Sequence, residues 1–378
     1  MSWNTIIGQE RVKNQIQSIL EQDRLAHAYL FAGPDGVGKD ATALALATVV
    51  NCEKQKNSSC GKCASCLQAS ALQHPNIHLI FALPTGKGEG SDDSPIEKLA
   101  KDDIAAIQEQ IELKRGNLYH DIVVPRANAI KVNSVREMRK QSSMSSLSKG
   151  KKVFILFDAE NLRDESANAL LKTLEEPHDN TLIILTTSHP DQLKATIISR
   201  CQVIKFDYLT DTEIAQALTE RAQLTAVEAA SISRMANGSY ARALELLQSD
   251  FLEMRKYAVD ILRTMLYKSK EEYFKMLEQI TANYDKGEVE QLLGLLQSWL
   301  RDTMTLSSGN TGIINVDDEE AIKKFSNAHP NVHYDETFQA IERSVSLLNK
   351  NVYISLIMLN LAADLHRHIV LPHIKSNN

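Results

Sequence analysis

The stretch YLFAGPDGVGKDATALA, residues 29–45, decides the fold of the first part of this chain. Its apolar run at residues 29–32 predicts a buried strand, Gly33-x-x-x-x-Gly38-Lys39 predicts a glycine-rich loop, and the alanine- and leucine-rich residues that follow predict a helix. This order is typical of a loop that binds polyphosphate. Glycines let backbone amides surround the phosphates, and the helix N-terminus adds partial positive charge.

We expect Gly33, Gly36, Gly38 and Lys39 to form a nucleotide-binding loop in which Lys39 reaches the outer phosphates. The next position normally carries Ser or Thr, whose neutral hydroxyl ligates Mg²⁺, and here it is Asp40. A carboxylate also ligates Mg²⁺, but it brings a negative charge to a phosphate site. Asp40 therefore leaves open whether ATP and Mg²⁺ bind at this loop.

A second acidic residue of interest follows another buried strand. The apolar run at residues 153–157 ends at Asp158. Folds with a phosphate loop hold their Mg²⁺ with an acidic residue at such a strand end. Asp158 is therefore either part of the nucleotide site or only the first residue of the next turn, and its spacing favours neither.

Composition limits the classes of protein to consider. The chain has 378 residues, which predicts two or three domains, and its 43% hydrophobic and 24% charged residues are ordinary for a globular protein. No apolar stretch approaches the ~20 residues that span a bilayer, and the N-terminal residues lack the pattern of a signal peptide, so we expect a cytoplasmic protein without membrane contact. A net charge of −6 argues against coating nucleic acid unaided, so any DNA contact is expected to be shared with partners.

Four of the five cysteines are clustered, at Cys52, Cys60, Cys63 and Cys66. Clustered cysteines in a cytosolic chain favour metal over disulfides, and four thiolates complete a tetrahedral, structural Zn²⁺ site. The alternative is a set of small buried thiols. Cys201 has no partner at ligand spacing and is expected to be a buried, inert thiol.

Strands and helices alternate along the first half of the chain. This pattern predicts a parallel sheet covered by helices on both faces, with residues 84–95 as a mobile insertion. Beyond Asp207 the strand patterns stop, and the remaining residues predict three short helices and then a helical bundle. The predicted strands lie at residues 29–32, 77–83, 130–132, 153–157, 181–186 and 203–206.

The chain carries two further motifs besides the phosphate loop and the cysteine module. They are Asn168-Ala-Leu-Leu-Lys-Thr-Leu-Glu-Glu-Pro177 and Ser199-Arg200-Cys201. Together they resemble the AAA+ subunits of the bacterial clamp loader of DNA polymerase III. The resemblance implies an α/β RecA-like AAA+ core with a parallel sheet, a small helical lid and an all-helical collar that forms oligomers. It assigns residues 1–207 to the core with a zinc module at 52–66, residues 208–250 to a three-helix lid, and residues 251–378 to the collar.

Three positions depart from the motor subunits of that family. The motors carry Asp-Glu after the third strand, whereas here Ala159 follows Asp158 and the acid comes one place later, at Glu160. The position of the motors' sensing arginine in the lid holds Ala241, and Asp40 is the third change. Loss of a general base costs about 10²–10⁴-fold in rate, so very slow hydrolysis is expected.

Arg200 keeps the residue type of the family. In clamp loaders, the arginine of this motif enters the nucleotide site of a neighbouring subunit, and such arginine fingers are worth roughly 10³–10⁵ in rate in other systems. The other interpretation of Arg200 is a surface ion pair. The resemblance thus implies a non-hydrolysing subunit that completes a ring with motor subunits and a clamp-opening subunit, and that meets the sliding clamp and primed DNA through the complex.

Two other functions compete with this one. The chain is instead an active motor ATPase if Asp40 ligates Mg²⁺ and Glu160 serves as the base. It is a zinc-stapled adaptor unrelated to replication if it does not associate with a clamp loader. ATP turnover by the isolated chain that depends on Lys39 would separate the motor from the non-hydrolysing subunit.

Overall fold

The computed structural model describes residues 1–90, 93–144, 150–248, 251–310, 312–350 and 352–372. The chain divides into two compact units. The first, the sheet unit, comprises residues 1–217 and 236–242, and the second, the helical unit, comprises residues 218–235 and everything after residue 242. The expected lid boundary at residue 250 and the last six residues of the expected collar lie outside the described residues.

Five parallel strands form the sheet of the first unit, and this confirms the predicted fold class. The strands are Ala28–Ala32 (β1), Ile77–Ile80 (β2), Lys152–Leu156 (β3), Thr181–Thr187 (β4) and Gln202–Lys205 (β5). Their order across the sheet is β2-β3-β4-β1-β5, so the strand that leads into the phosphate loop lies inside the sheet.

The predicted strand at residues 130–132 is wrong. Ile130 forms a single bridge with Leu162, and Val132 is already the first residue of a helix. An apolar residue on each side of Lys131 fits a short strand, but the same residues also fit the buried first turn of a helix. Ile130 and Val135 both pack into the apolar core, and this packing favours a helix that begins at Val132.

Among the described residues, helices cover the sheet of the first unit and form the second unit. The first seven are Glu10–Glu21 (α1), Lys39–Val50 (α2), Ala64–Ser70 (α3), Lys101–Gly116 (α4), Val132–Ser143 (α5), Asp164–Glu175 (α6) and Ala195–Ile198 (α7). The next three are Asp211–Ala222 (α8), Ala226–Met235 (α9) and Tyr240–Gln248 (α10). The last six are Phe251–Tyr267 (α11), Lys270–Asn283 (α12), Lys286–Ser307 (α13), Glu319–Ala328 (α14), Tyr334–Asn349 (α15) and Ile354–Leu365 (α16).

Two apolar clusters lie on the two faces of the sheet, because successive side chains of a strand point to opposite faces. On one face, Tyr29 and Phe31 of β1 pack with Leu44 and Val49 of α2. On the other face, Leu30 packs with residues of α5, α6 and α7. All five residues of β1 are buried, which fixes the start of the phosphate loop at the end of a rigid element.

The insertion at residues 84–95 is anchored in its described part, unlike the mobile segment that its composition predicts. The Glu89 carboxylate lies 2.8 Å from the Lys131 ammonium and accepts from the Asn133 amide at 2.5 Å. The Glu89 and Lys131 side chains are both nearly buried. This ion pair ties the insertion to the start of α5.

The helical unit has its own apolar core, formed mainly by α11, α12, α13, α15 and α16. Trp299 of α13 is buried there and packs edge-on against Phe325 of α14. The buried Asp302 carboxylate accepts from the backbone amides of Ile314 and Asn315 and so holds the loop before α14. In the described residues, no helix has the length and apolar character required to cross a membrane.

Candidate functional site

The predicted phosphate loop lies between β1 and α2. The amide of Gly33 donates to the Thr187 carbonyl of β4, so the loop starts in register with the sheet. Gly36 and Gly38 have φ values of +70° and +101°, which side chains rarely adopt. A side chain on Gly36 would also collide with Ser239, so both the backbone conformation and the space require glycine there.

Lys39 is turned into its own loop. Its ammonium donates to the carbonyls of Gly33 at 2.9 Å and Pro34 at 2.6 Å, and to the Ser188 hydroxyl at 2.9 Å. An ammonium has three N–H donors, so these bonds use all of them. In this arrangement, the Lys39 ammonium lies inside the loop and is bonded to the loop's own carbonyl groups.

Asp40 forms a buried ion pair with a lysine that the sequence analysis missed. The Lys114 ammonium of α4 lies 2.7 Å from Asp40 Oδ2 and also donates to the His120 carbonyl at 2.6 Å. The Lys114 side chain is fully buried, and its charge lies 5.0 Å from the ring centre of Phe157. Asp40 is therefore already paired with a cation of the chain itself.

Two more carboxyl groups share this pocket. Burial, reinforced by the charge of Asp40, raises the pKa of Asp158 to about 7 and that of Asp121 to about 6. Lys114 opposes both shifts. Asp158 has a left-handed backbone (φ 51°, ψ 61°), so the chain turns sharply as it leaves β3. With Asp35, the pocket is thus lined by four carboxyl groups and two lysines.

The space left in this pocket is small. The cavity has a volume of about 20 Å³, and its walls include Gly36, Gly38, Lys39, Asp40 and Asp158. One water molecule needs about 10–15 Å³. The structure therefore brings most of the predicted loop residues together around a space that holds about one water molecule.

Glu160, the displaced acid, points toward the end of β4. One of its carboxylate oxygens accepts from the Ser188 amide at 3.0 Å, and the other is buried with no hydrogen-bond partner among the described residues. Ser188 in turn contacts both Lys39 and Asp35. The polar end of β4 is thus part of a network that closes the loop from the side of Lys39.

The start of α10 lies directly on the loop. The Gly36 carbonyl accepts from the amides of Tyr240 at 3.0 Å and Ala241 at 3.3 Å. Tyr240 also packs edge-on against Tyr119, which lies next to Gly38. The Ala241 methyl group is so close to Gly36 that a side chain on Gly36 would collide with it as well as with Ser239.

Arg200 lies apart from this pocket, after α7. Its guanidinium donates to the Thr196 carbonyl at 2.9 Å and pairs with the Glu175 carboxylate at the end of α6, at 2.7 Å. The Arg200 and Glu175 side chains are 35% and 49% exposed. Arg200 is therefore reachable from solvent and held by one partly exposed ion pair, which is worth about 0–1 kcal/mol.

The four clustered cysteines converge. The sulfur atoms of Cys52, Cys60, Cys63 and Cys66 all lie within 4.8 Å of one another, and those of Cys60 and Cys66 are 3.9 Å apart. Tetrahedral Zn–S bonds of about 2.3 Å require sulfur atoms about 3.8 Å apart, so these residues fit a zinc ion. Backbone amides of residues 62 and 63 lower the pKa of Cys60 to about 6, whereas burial raises the pKa of Cys66 to about 12. The bonds at Cys60 favour the thiolate, which is the form that binds metal, so the support for zinc comes from the sulfur positions.

The remaining cysteine, Cys201, is partly buried and packs against the apolar cluster on the α5–α7 face of the sheet. Cys201 is thus less buried than expected. Burial still raises its pKa to about 12, which favours the protonated thiol, and its inertness stays a prediction.

Strand order, the position of the loop after β1, and the acidic residue after β3 define the first unit as a RecA-like AAA+ core. The chain belongs to the DNA polymerase III delta subunit family. The family model described as "DNA polymerase III, delta subunit" matches residues 8–210, and the model described as "DNA polymerase III, delta subunit, C terminal" matches residues 249–367. The predicted resemblance to subunits of the DNA polymerase III clamp loader is confirmed.

The relatives include two kinds of subunit. DNA polymerase III subunit delta' of Bacillus subtilis is 28% identical over 304 residues, which cover 80% of this chain and 79% of that protein. DNA polymerase III subunit tau of the same organism is 29% identical over 248 residues, which cover 64% of this chain and 36% of that protein. Among solved structures, a DNA polymerase III gamma subunit-related protein of Thermotoga maritima is 14% identical, with 94% of this chain and 99% of that chain covered and a TM-score of 0.37.

Proposed function

We propose that this chain is a non-hydrolysing subunit of a bacterial clamp loader, and that it supplies Arg200 to the ATP site of a neighbouring subunit. The observation that supports this most is the closed phosphate loop. Lys39 is bonded to its own loop, Asp40 is neutralised by Lys114, and the cavity between them holds about one water molecule. A chain whose own site is closed in this way and whose arginine is partly exposed is suited to act on another subunit's nucleotide.

In this proposal, residues 208–250 act as the lid and residues 251–378 as the collar, which joins motor subunits and a clamp-opening subunit into a ring. The complex, and not this chain alone, would meet the sliding clamp and primed DNA in the cytoplasm. The family membership supports these partners, since the relatives are named as subunits of DNA polymerase III. The four cysteines would hold a structural Zn²⁺, and the fit of their sulfur positions supports it.

Two measurements test the proposal. The isolated chain should show no ATP turnover, whereas turnover that is lost in Lys39→Ala would favour the motor ATPase with Asp40 and Glu160 in catalysis. In the complex reconstituted with motor subunits, Arg200→Ala should leave assembly intact and slow hydrolysis at the adjacent site by roughly 10³-fold or more.

Matched variants sharpen the second measurement. Arg163 is an exposed arginine just before α6, about 18 Å along that helix from Glu175, and Arg163→Ala should leave hydrolysis unchanged. Glu175→Gln releases Arg200 from its ion pair and should not lower the rate. An Arg200→Ala complex that hydrolyses ATP at the wild-type rate would refute the role of Arg200.

A further inference from the structure

We propose that a buried hydrogen-bond chain through His74, Ser65 and Asn51 positions the four cysteines and determines how tightly they hold zinc. The inference rests on the zinc site of the proposed function and adds positioning residues to it. It does not depend on Arg200 or on the phosphate loop.

The chain of bonds has a single direction. His74 is buried, and its Nδ1 accepts from the Asn76 amide at 3.0 Å, so this nitrogen carries no hydrogen. The proton of the neutral imidazole is then on Nε2, which donates to the Ser65 hydroxyl oxygen at 2.9 Å. The Ser65 hydroxyl in turn donates a hydrogen bond to the Asn51 backbone carbonyl at 2.5 Å. Each donor in the chain therefore has one acceptor.

Asn51 is itself fixed at the end of α2. Its side-chain amide donates to the Ala47 carbonyl at 3.0 Å, and its side-chain oxygen accepts from the Asn76 amide group at 3.3 Å. Asn51 is only 2% exposed. It immediately precedes Cys52, the first of the four cysteines, so the place where the cysteine segment starts is fixed.

Ser65 fixes the other end of the same segment. It lies in the first turn of α3 and immediately precedes Cys66. Cys63 is the N-cap of this helix, and its sulfur accepts from the Cys66 amide at 3.4 Å. The hydrogen bond from Ser65 to Asn51 thus holds the first turn of α3, which carries the sulfur atoms of Cys63 and Cys66, next to the residue that precedes Cys52.

His74 acts through this geometry and is not itself a ligand. Among the described residues, the group able to hold a metal ion comprises only the four cysteines, and both ring nitrogens of His74 are already hydrogen-bonded. Groups that orient metal ligands typically change metal affinity by 10–100-fold when they are removed. Without the chain, the turn of α3 would have to be ordered by the metal itself, which weakens binding.

The test measures zinc affinity in the full-length protein by competition with a chromophoric chelator. Ser65→Ala removes one hydroxyl and almost no volume, and His74→Ala removes the donor and the acceptor together. Both should raise the Kd for Zn²⁺ by about 10–100-fold. His74→Gln keeps a donor for Ser65 and should fall between wild type and His74→Ala. The control is Gln68→Ala, an exposed position on the same helix, which should leave the Kd unchanged.

A second readout separates positioning from simple packing. The Trp3 indole donates to the backbone carbonyl of Asn57, which lies between Cys52 and Cys60. When Trp299 is replaced by Phe, the remaining fluorescence comes from Trp3 and reports on this segment as zinc is removed. A positioning role predicts a larger loss of thermal stability in the zinc-bound protein than in the metal-free protein. Equal losses in both forms with an unchanged Kd for Ser65→Ala and His74→Ala would overturn the inference. A wild-type chain that binds no zinc would instead overturn the zinc site itself.

Discussion

Replacing Lys114 by Met should destabilise the sheet unit by about 3 kcal/mol at pH 5 and by more at pH 8. Met retains most of the buried stem but leaves the carboxylate of Asp40 without its partner, at 2.7 Å, and the His120 carbonyl without its donor. Breaking a buried ion pair from one side costs about 3–5 kcal/mol, and the 17% exposure of Asp40 puts this pair at the lower end. At pH 8 the cost rises, because Asp121 and Asp158, whose pKa values Lys114 lowers, are then ionised and lose its charge as well.

The assay is urea unfolding followed by the fluorescence of Trp3, with Trp299 replaced by Phe so that only the sheet unit is reported. The control is Arg115→Met, the neighbouring exposed position of α4, which should change stability by less than about 0.5 kcal/mol. Adding Asp40→Asn to Lys114→Met removes the unpaired charge and should restore about 1–2 kcal/mol. A loss below 1 kcal/mol, an equal loss at both pH values, or no recovery in the double variant would refute the reasoning.

Three further predictions concern the same unit. Asp158 has a pKa near 7 in the folded protein and an ordinary pKa near 4 in the unfolded chain, so between these values the folded form holds an extra proton and stability falls as pH rises. In urea unfolding, Asp158→Asn should remove about 2–4 kcal/mol of the difference in stability between pH 5 and pH 8. An unchanged pH dependence of stability in this variant would assign that dependence to other groups. Glu89→Ala leaves the Lys131 charge buried and unpaired, so we expect a loss of about 3 kcal/mol, and a shift in thermal midpoint no larger than that of a surface substitution would contradict it. Gly36→Ala forces a side chain into a left-handed backbone and against Ser239, which should cost about 1–3 kcal/mol, and wild-type stability would mean that the loop has room to move.

The sequence predicts the sheet better than it predicts the site. Unbroken apolar runs such as residues 153–157 are easily recognised as buried strands, and all five observed strands were predicted. The prediction of a strand at residues 130–132 was wrong, because three residues are too few to show a periodicity. The packing of Ile130 into the core determined the local structure instead. Local pattern is sufficient where an element is long or fully buried and insufficient where it is short.

Within the site, the residues of the loop were predicted and their partners were not. Gly36, Gly38 and Lys39 follow one another along the chain, so their spacing is visible in the sequence. Lys114 is 74 positions from Asp40 and lies in a helix rich in charged residues, where a lysine is normally solvated. Nothing in the sequence near Lys114 indicates that it is fully buried. The ion pair between Asp40 and Lys114 could therefore be recognised only in the structure.

The contact of the Gly36 carbonyl with the amides of Tyr240 and Ala241 has a mechanical consequence. Both amides belong to the first residues of α10, and N–H groups at a helix start have no acceptor inside their own helix. The loop supplies that acceptor, so any movement that withdraws the Gly36 carbonyl also leaves the first turn of α10 without it. The loop and this helix start are therefore expected to lose their order together.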